Sequence, residues 1–360
     1  MLRVTILVVS ALALFALCMV HAYGGALPTD RPVVLAYELD GRIRVQGTGW
    51  PSKVLNRVCG LAPSPSPAGD AVAYLYRGNV YVLRRDNSKV RQVTYAKPVY
   101  KDALDVESRI SWHPSARWVA YTRPDLFRYD LKHKKLIEVP LGTKPPQGAV
   151  FLSTIWVANV SSGRCHRLLG PMGDYAALHR TGQIEGAQVH EPVFSPDGRQ
   201  LWFLNAGALY RAQLDTDGLK AVGQPALVAR LGSGLDFESP GVSKGGTGAK
   251  QIAWDGRGCR LVYWIGRFWG TGVSEYGYVH WSAGEFGKPV RWTPTFAAEI
   301  ATAGVNIQGC AIDGDGHVWV YAYLESQRTF AWVRQDCARR LPEKAERPTW
   351  SIGADCCRMK

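Results

Sequence analysis

One ten-residue pattern recurs along the chain, and an internal repeat restricts the fold more than any composition figure does. Its copies are PSPAGDAVAY (65–74), WHPSARWVAY (112–121), FSPDGRQLWF (194–203), WDGRGCRLVY (254–263) and IDGDGHVWVY (312–321). Each opens on an apolar residue or proline, passes through a turn of Pro, Asp, Gly or Ser, and ends in alternating residues closed by Tyr or Phe. Tyr74, Tyr121, Phe203, Tyr263 and Tyr321 share the last column, and Val72, Val119, Leu201, Leu261 and Trp319 stand two residues before it. Residues two apart lie on one face of a strand, so each window predicts a strand, a tight turn and a second strand with one buried face. Proline presets φ at the turn's second position, and Asp-Gly accepts the remaining angles.

A third strand follows the turns at Gly78-Asn79 (VYVLRR) and Ala206-Gly207 (ALYRAQL). A fourth is expected at VRQVT (90–94), CHRLL (165–169) and VRWT (290–293). A sixth copy, VVLAYELDGRIRVQ (33–46), carries Tyr37 in the shared column and Asp40-Gly41 as its turn but lacks a first strand. A ring explains the gap, because one blade completed from both chain ends leaves no open sheet edge. The candidate donor is PTWSIG (348–353), reached through a linker at RLPEKAERP (340–348). The expected fold is therefore all-β, a β-propeller of four-stranded antiparallel blades over residues 33–335, with a closing strand and Cys-containing tail at 336–360. A blade takes about 40–50 residues. The 82-residue interval between Tyr121 and Phe203 holds one blade with an insertion or two blades, and GAVFLSTIWVANVSSGRCHRLL (148–169) has strand character without a turn window. The repeat length favours six blades over seven. GVSKGGTGAK (241–250) and WIGRFWGTGVSEYGYVHW (264–281) read as elaborated loops of the fifth blade.

The chain opens with Met1-Leu2-Arg3, an apolar run from Val4 to Val20, and Val20-His21-Ala22. This predicts an export signal over 1–22 cleaved after Ala22; uncleaved, the run would be an anchor. Only this one long apolar run exists, which excludes a polytopic membrane protein, and no heptad seam supports a coiled coil. Net charge is +13, and cleavage would remove one arginine. The basic residues are scattered, which favours a solvated surface over nucleic-acid binding. An exported chain permits disulfides, and the cysteines left after Cys18 are Cys59, Cys165, Cys259, Cys310, Cys337, Cys356 and Cys357. Their wide spacing gives no paired zinc pattern. Cys337, Cys356 and Cys357 are the disulfide candidates, with a vicinal Cys356–Cys357 bond or a soft-metal site also open.

EPVFSPDGRQLWF (191–203), supported more loosely by the other windows, resembles the TolB-type propeller family, whose repeat carries an acidic residue, Pro, an aromatic, SPDG and an apolar strand. The resemblance spans about residues 33–335 and implies the propeller fold. Ser115-Ala116 replaces Asp-Gly in one window, and 254–263 lacks the Pro. The N-terminal α/β domain of TolB has no counterpart in the ten or so residues between Ala22 and the first strand.

Candidate chemistry gathers at inner-strand starts, which face the central channel in propellers. His190-Glu191-Pro192 precedes the best window, an arrangement that resembles the inner-strand histidine of propeller lyases acting on oligogalacturonides. His190, Gln308 and His317 are candidate metal ligands, with His280 a further histidine, and His190 with Glu191 the candidate proton-transfer pair. Three residues before each window stand Ala62, Arg109, Glu191, Gln251 and Gly309, so no carboxylate ring or His cluster recurs. Arg109, Glu191 and Gln251 are the candidate ligand-binding residues, and Arg109 with Glu191 suits an ordinary ion pair better than a ligand site. Gly241-Val242-Ser243-Lys244-Gly245 fits a nucleophile motif but lacks its strand–turn–helix setting. Asp313-Gly314-Asp315-Gly316 and Asp215-Thr216-Asp217-Gly218 suit hairpin turns better than calcium loops. Asn159-Val160-Ser161 fits a glycosylation site in a eukaryotic secretory host. The function expected is a periplasmic or secreted binding scaffold at the cell envelope, monomeric and without a cofactor, for an envelope protein or a polar or polyanionic ligand. A metal-assisted saccharide enzyme and a structural part of an envelope complex are the alternatives.

Overall fold

The computed structural model describes residues 34–39, 42–47, 50, 60–86, 89–95, 109–140, 145–182, 184–215, 220–232, 247–254, 260–267, 273–282, 285–292, 305–312, 318–324, 329–334 and 345–350. The described strands pair antiparallel into six sheets. In the second, β3 (Leu61–Pro65), β4 (Ala71–Tyr76), β5 (Asn79–Arg84) and β6 (Val90–Gln92) follow in sequence order. The fourth repeats this with β12 (Val189–Phe194), β13 (Gln200–Asn205), β14 (Ala208–Leu214) and β15 (Ala221–Ala229). The third holds β7 (Ile110–Trp112), β8 (Trp118–Asp130), β10 (Ala149–Asn159) and β11 (Cys165–Leu169), with β9 (Lys135–Glu138) on the far end of β8. The fifth holds β16 (Thr247–Trp254), β17 (Arg260–Arg267) and β18 (Val273–Ser282), with the short β19 (Glu285–Phe286) and β20 (Val290–Trp292) on β18. The sixth is β21 (Val305–Ile312), β22 (Val318–Leu324) and β23 (Thr329–Arg334). The first joins β1 (Leu35–Leu39) and β2 (Arg42–Gln46) to β24 (Ala345–Trp350).

The strands β24, β3, β7, β12, β16 and β21 neighbour one another in that cyclic order, and β21 returns to β24. The inner strands therefore close a ring, a propeller arrangement. The ring follows from where the apolar side chains point. Along β4, Ala71, Ala73 and Leu75 pack with Ile110, Trp112 and Tyr121 of the third sheet, while Val72 and Tyr74 pack with Ala36, Ile43 and Val45 of the first. Along β13, Leu201 and Phe203 face the third sheet, and Trp202 and Leu204 face the fifth. Tyr74, Tyr121, Phe203 and Tyr263 thus all lie against the preceding sheet. Indole hydrogen bonds run the same way. Trp112 Nε1 donates to the Ser64 carbonyl at 2.8 Å and Trp254 Nε1 to the Phe194 carbonyl at 2.7 Å.

The window turns are built on serine. Ser66 and Ser195 each accept a backbone N–H at Oγ, from Ala71 (3.1 Å) and Gln200 (2.9 Å), and donate to Asp70 (2.6 Å) and Asp197 (2.5 Å). Gly69 and Gly198 occupy the left-handed position at φ 67° and 72°, which glycine adopts without steric cost. The third sheet puts Ala116 there, at φ 56°. At Arg77-Gly78 and Ala206-Gly207 both residues have positive φ, the signature of a two-residue type I′ hairpin.

Segment 148–169 forms no separate sheet: β10 pairs with β8 from Trp118 to Arg128 and β11 completes the third sheet. The same interval contains a short helix, α1 (Tyr175–Arg180), whose N-cap Asp174 accepts from the N–H groups of Ala176 and Ala177. The closing strand includes Pro348, Thr349 and Trp350 of the expected PTWSIG but begins three residues earlier, so that Ala345, Glu346 and Arg347, expected in a linker, are strand residues. Leu39 and Glu38 pair with Ala345 and Glu346, and the register then shifts so that Arg347 and Pro348 stand opposite Tyr37. Proline has no N–H to give a ladder and sits at such an irregularity. The expected fourth strand at 165–169 is found with those bounds, and the one at 90–94 ends at Gln92.

Relieving the left-handed alanine is expected to stabilise the fold. Ala116→Gly should raise the urea-unfolding free energy by about 0.5–1 kcal/mol. Gly198→Ala should lower it by about 2 kcal/mol or more, because a Cβ there would lie 2.4 Å from His113 Nε2.

Candidate functional site

Five of the six inner strands share an irregularity that shapes the ring's mouth, and β7 pairs without one. In the second sheet Leu61 pairs with Leu75 and Ser64 with Ala73, which leaves Ala62 and Pro63 opposite Tyr74. In the fourth, Glu191 and Pro192 stand opposite Phe203 in the same way. One extra residue also enters β16 between Ala249 and Gln251 and β21 between Ile307 and Gly309. Such a bulge leaves a residue out of the ladder, bends the strand and re-aims a side chain. Ala62 and Glu191 take φ 50° and 56° there, a conformation costing a non-glycine residue roughly 1 kcal/mol. The dipeptides Ala62-Pro63, Glu191-Pro192 and Arg347-Pro348 mark three of these bulges in the sequence.

Arg109 immediately precedes β7, and its carbonyl accepts from Thr122 N–H at 3.3 Å. Its Nη1 donates to Glu191 Oε2 at 2.9 Å and to the carbonyl of Ile252. One guanidinium from the third sheet therefore reaches the inner strands of the fourth and fifth. The pair is buried, with side-chain exposures of 12% for Arg109 and 6% for Glu191. Both contacts use Nη1; among the described residues Nε and Nη2 hold no hydrogen-bond acceptor. A guanidinium carries five N–H donors in a fixed planar fork, so the unused edge suits a carboxylate. Beside it, Phe194 N–H donates to Ser111 Oγ at 3.1 Å and fixes β12 against β7.

Gln251 and Gln308 lie on β16 and β21, inner strands of the same ring, with their side chains outside the described residues. His190 is half-buried in β12 opposite Leu204, one residue before the Arg109-bound Glu191. The carboxylate expected as its proton-transfer partner is thus engaged by a guanidinium. Among the described residues, no three His, Cys, Asp or Glu side chains stand together as a metal site. His317, Ser243, Cys59, Cys259, Cys337, Cys356, Cys357, Asp217, the Asp313–Gly316 turn and the N-terminal segment 1–22 lie outside the described residues. Cys165 is a free, exposed thiol on β11. No helix among the described residues is long and apolar enough to cross a membrane.

Two polar constellations were not singled out from the sequence. His113 follows β7 and reaches the fourth sheet's turn. Its Nδ1 accepts from Ser115 N–H (3.1 Å), so Nε2 carries the proton donated to the Gly198 carbonyl (3.2 Å). Burial pushes its pKa below the usual imidazole value, against opposite pulls from the Gly198 carbonyl and the Asp197 carboxylate. In the long β8, Asp125 is almost fully buried. It accepts from Thr154 Oγ1 (2.7 Å) and Trp156 Nε1 (3.1 Å), with Arg123 Nε 3.4 Å and Arg167 Nη1 3.6 Å away. The only sequence signal was an Arg and an Asp two residues apart in a strand that is otherwise apolar around them.

No family model and no curated protein matches the chain. Solved structures similar to it include dipeptidyl peptidase 4 of Porphyromonas gingivalis, at 14% identity and TM-score 0.39 over 86% of this chain and 44% of that one. Oligogalacturonate lyase from Vibrio parahaemolyticus is similar at 10% identity and TM-score 0.40, over 85% and 74%. Hydrazine synthase of Kuenenia stuttgartiensis is similar at 13% identity and TM-score 0.47, over 90% and 47%. The chain spans less than half the length of the peptidase and the synthase chains. Likeness at this level transfers neither residues nor activity, and the fold stands on the chain's own strand pairing.

Removing one member of the central pair leaves the other charge buried. Arg109→Met is expected to cost about 3 kcal/mol in urea unfolding. Arg109→Met combined with Glu191→Gln should cost less than the sum of the single losses. Because the folded state depresses the His113 pKa, its stability contribution is complete above the unfolded value of about 6.5 and falls as pH drops below it. His113→Gln should therefore flatten the stability–pH curve below about pH 6.5 relative to the parent.

Proposed function

We propose that the chain is an exported, six-bladed propeller of the TolB type that serves as a binding scaffold at the cell envelope. Its ligand is polar and acidic and enters at the face where the inner strands begin. One observation carries this reading: Arg109 is held at the convergence of three inner strands through Nη1 alone, with its other edge uncommitted among the described residues. A buried, pre-positioned guanidinium loses little freedom when it takes a carboxylate in two parallel hydrogen bonds. Glu191 holds that guanidinium in place. The six sheets and the return of β24 to the first of them support the blade count. The apolar run at 4–20 ending in Val20-His21-Ala22 supports export.

The test is calorimetric titration of the purified exported chain with oligogalacturonides, small dicarboxylates and their uncharged counterparts. Binding restricted to the acidic compounds is expected. Arg109→Lys keeps the charge but lacks the fork and should weaken binding by about ten-fold or more. Equal affinity for acidic and neutral compounds, or an unaltered affinity in Arg109→Lys, would overturn the reading. N-terminal sequencing of the same preparation should begin at Tyr23.

A further inference from the structure

The third sheet carries a basic prong on the face where the inner strands begin. Ile110 pairs with Tyr121, and β8 then continues through Thr122–Asp130 with β10 on one side and β9 on the other. Those nine residues amount to roughly 30 Å of strand at about 3.3 Å each. The prong ends in the turn Leu131–Lys134, which lies between β8 and β9.

The turn is held in shape. Asp130 Oδ1 accepts from the N–H groups of Lys132 (2.9 Å) and His133 (3.3 Å), and Asp130 Oδ2 lies 2.6 Å from His133 Nδ1. The one carboxylate of the tip is thereby occupied by its neighbours. Arg128, Lys132, Lys134 and Lys135 are exposed and hold no ion pair among the described residues. Tyr129 stacks on His179 with ring centroids 4.3 Å apart, which seats the last turn of α1, with its exposed Arg180, beside the prong. Glu138, on β9, is taken by Arg167 at 2.7 Å. Leu131 stands at the crest among these cations with 72% of its surface exposed. The buried Asp125–Thr154–Trp156 network and the packing of Phe127 and Leu152 on Leu178 stiffen the base.

We propose that this tip docks the protein on an anionic lipid surface. Cations spread over one exposed turn match a field of phosphate headgroups, and each lysine near such a surface strengthens binding about five-fold. The crest leucine selects between anionic partners. A soluble polyanion gains nothing from an apolar side chain held out in water, whereas a bilayer takes it in below the headgroups while the lysines stay at the surface. The docking is independent of what Arg109 binds.

The exported chain is sedimented with vesicles of phosphatidylcholine alone and of phosphatidylcholine mixed with phosphatidylglycerol. Any retained apolar N-terminal run partitions into both kinds alike, so the readout is the difference between them. A clear preference for the anionic vesicles is expected, lost at about 1 M salt, where the screening length is about 3 Å. K132A/K134A/K135A should reduce the anionic binding on the order of a hundred-fold. L131A should reduce it several-fold and leave soluble polygalacturonate binding unchanged. The substitutions lie in an exposed turn, and an unaltered thermal midpoint checks that each variant is folded. Absence of the preference, or its persistence in the triple variant, would overturn the proposal. So would unaltered vesicle binding in L131A together with tip-dependent binding of the polymer, which would assign the tip to a soluble polyanion.

Discussion

Among the described residues, the second, third and fourth sheets do not cover their own faces. Four buried clusters are each drawn from two neighbouring sheets, so the apolar side chains of β4 or β13 alternate between the sheet before and the sheet after. Sheets that must be covered on both sides either stack without end or return on themselves. The described sheets return, and β24 joins the first and last of them. The aromatic column and the indole hydrogen bonds set the spacing and direction of that stacking. The short inner strands, and everything at their mouths, take their positions from it.

The mouth departs from regular pairing for a related reason. Inner strands converge, and a bulge lets every one but β7 bend away from the axis while its outer neighbours remain paired. The bulged residues are the ones whose side chains leave the ladder, and Glu191 is among them. The cost of its left-handed backbone is met by Arg109, which also ties β7 to β16 across the intervening strand. The result, among the described residues, is a polar centre at Arg109 and Glu191 where three inner strands meet.

Much of the architecture was legible in the sequence because it rests on local chemistry. The Ser-turn-Gly windows and the alternating Val-x-Tyr pattern name the hairpins, and the type I′ turns fall at Ala206-Gly207 as expected and at Arg77-Gly78, one residue before the expected Gly78-Asn79. The third sheet was harder to read. β8 carries Arg123 and Asp125 in its buried stretch, so it looks like neither a half-buried nor a fully apolar strand. Their partners Thr154, Trp156 and Arg167 are supplied by strands about 30–45 residues downstream, which no local window contains. Pro348 made the closing strand look as if it began three residues late, since proline ordinarily starts a strand rather than interrupting one. The column three residues before each window was identifiable, but the Arg109–Glu191 contact spans 82 residues and became visible only with the sheets in place.

The pairing of Leu35 with Trp350 also fixes the order of events during folding. The two residues are more than 300 positions apart, so this contact is among the least local that the chain makes. β1 is synthesised early, and its partner follows after roughly 15–60 s at the usual elongation rates. Through that interval the intermediate sheets can pair and stack, because their hairpins are local, while β1 shows an open hydrogen-bonding edge. Contacts of such long range form slowly and leave the chain prone to pairing with the wrong edge in the meantime. Closure is thus expected late in assembly, with the unpaired edge of β1 open to wrong pairing until β24 arrives.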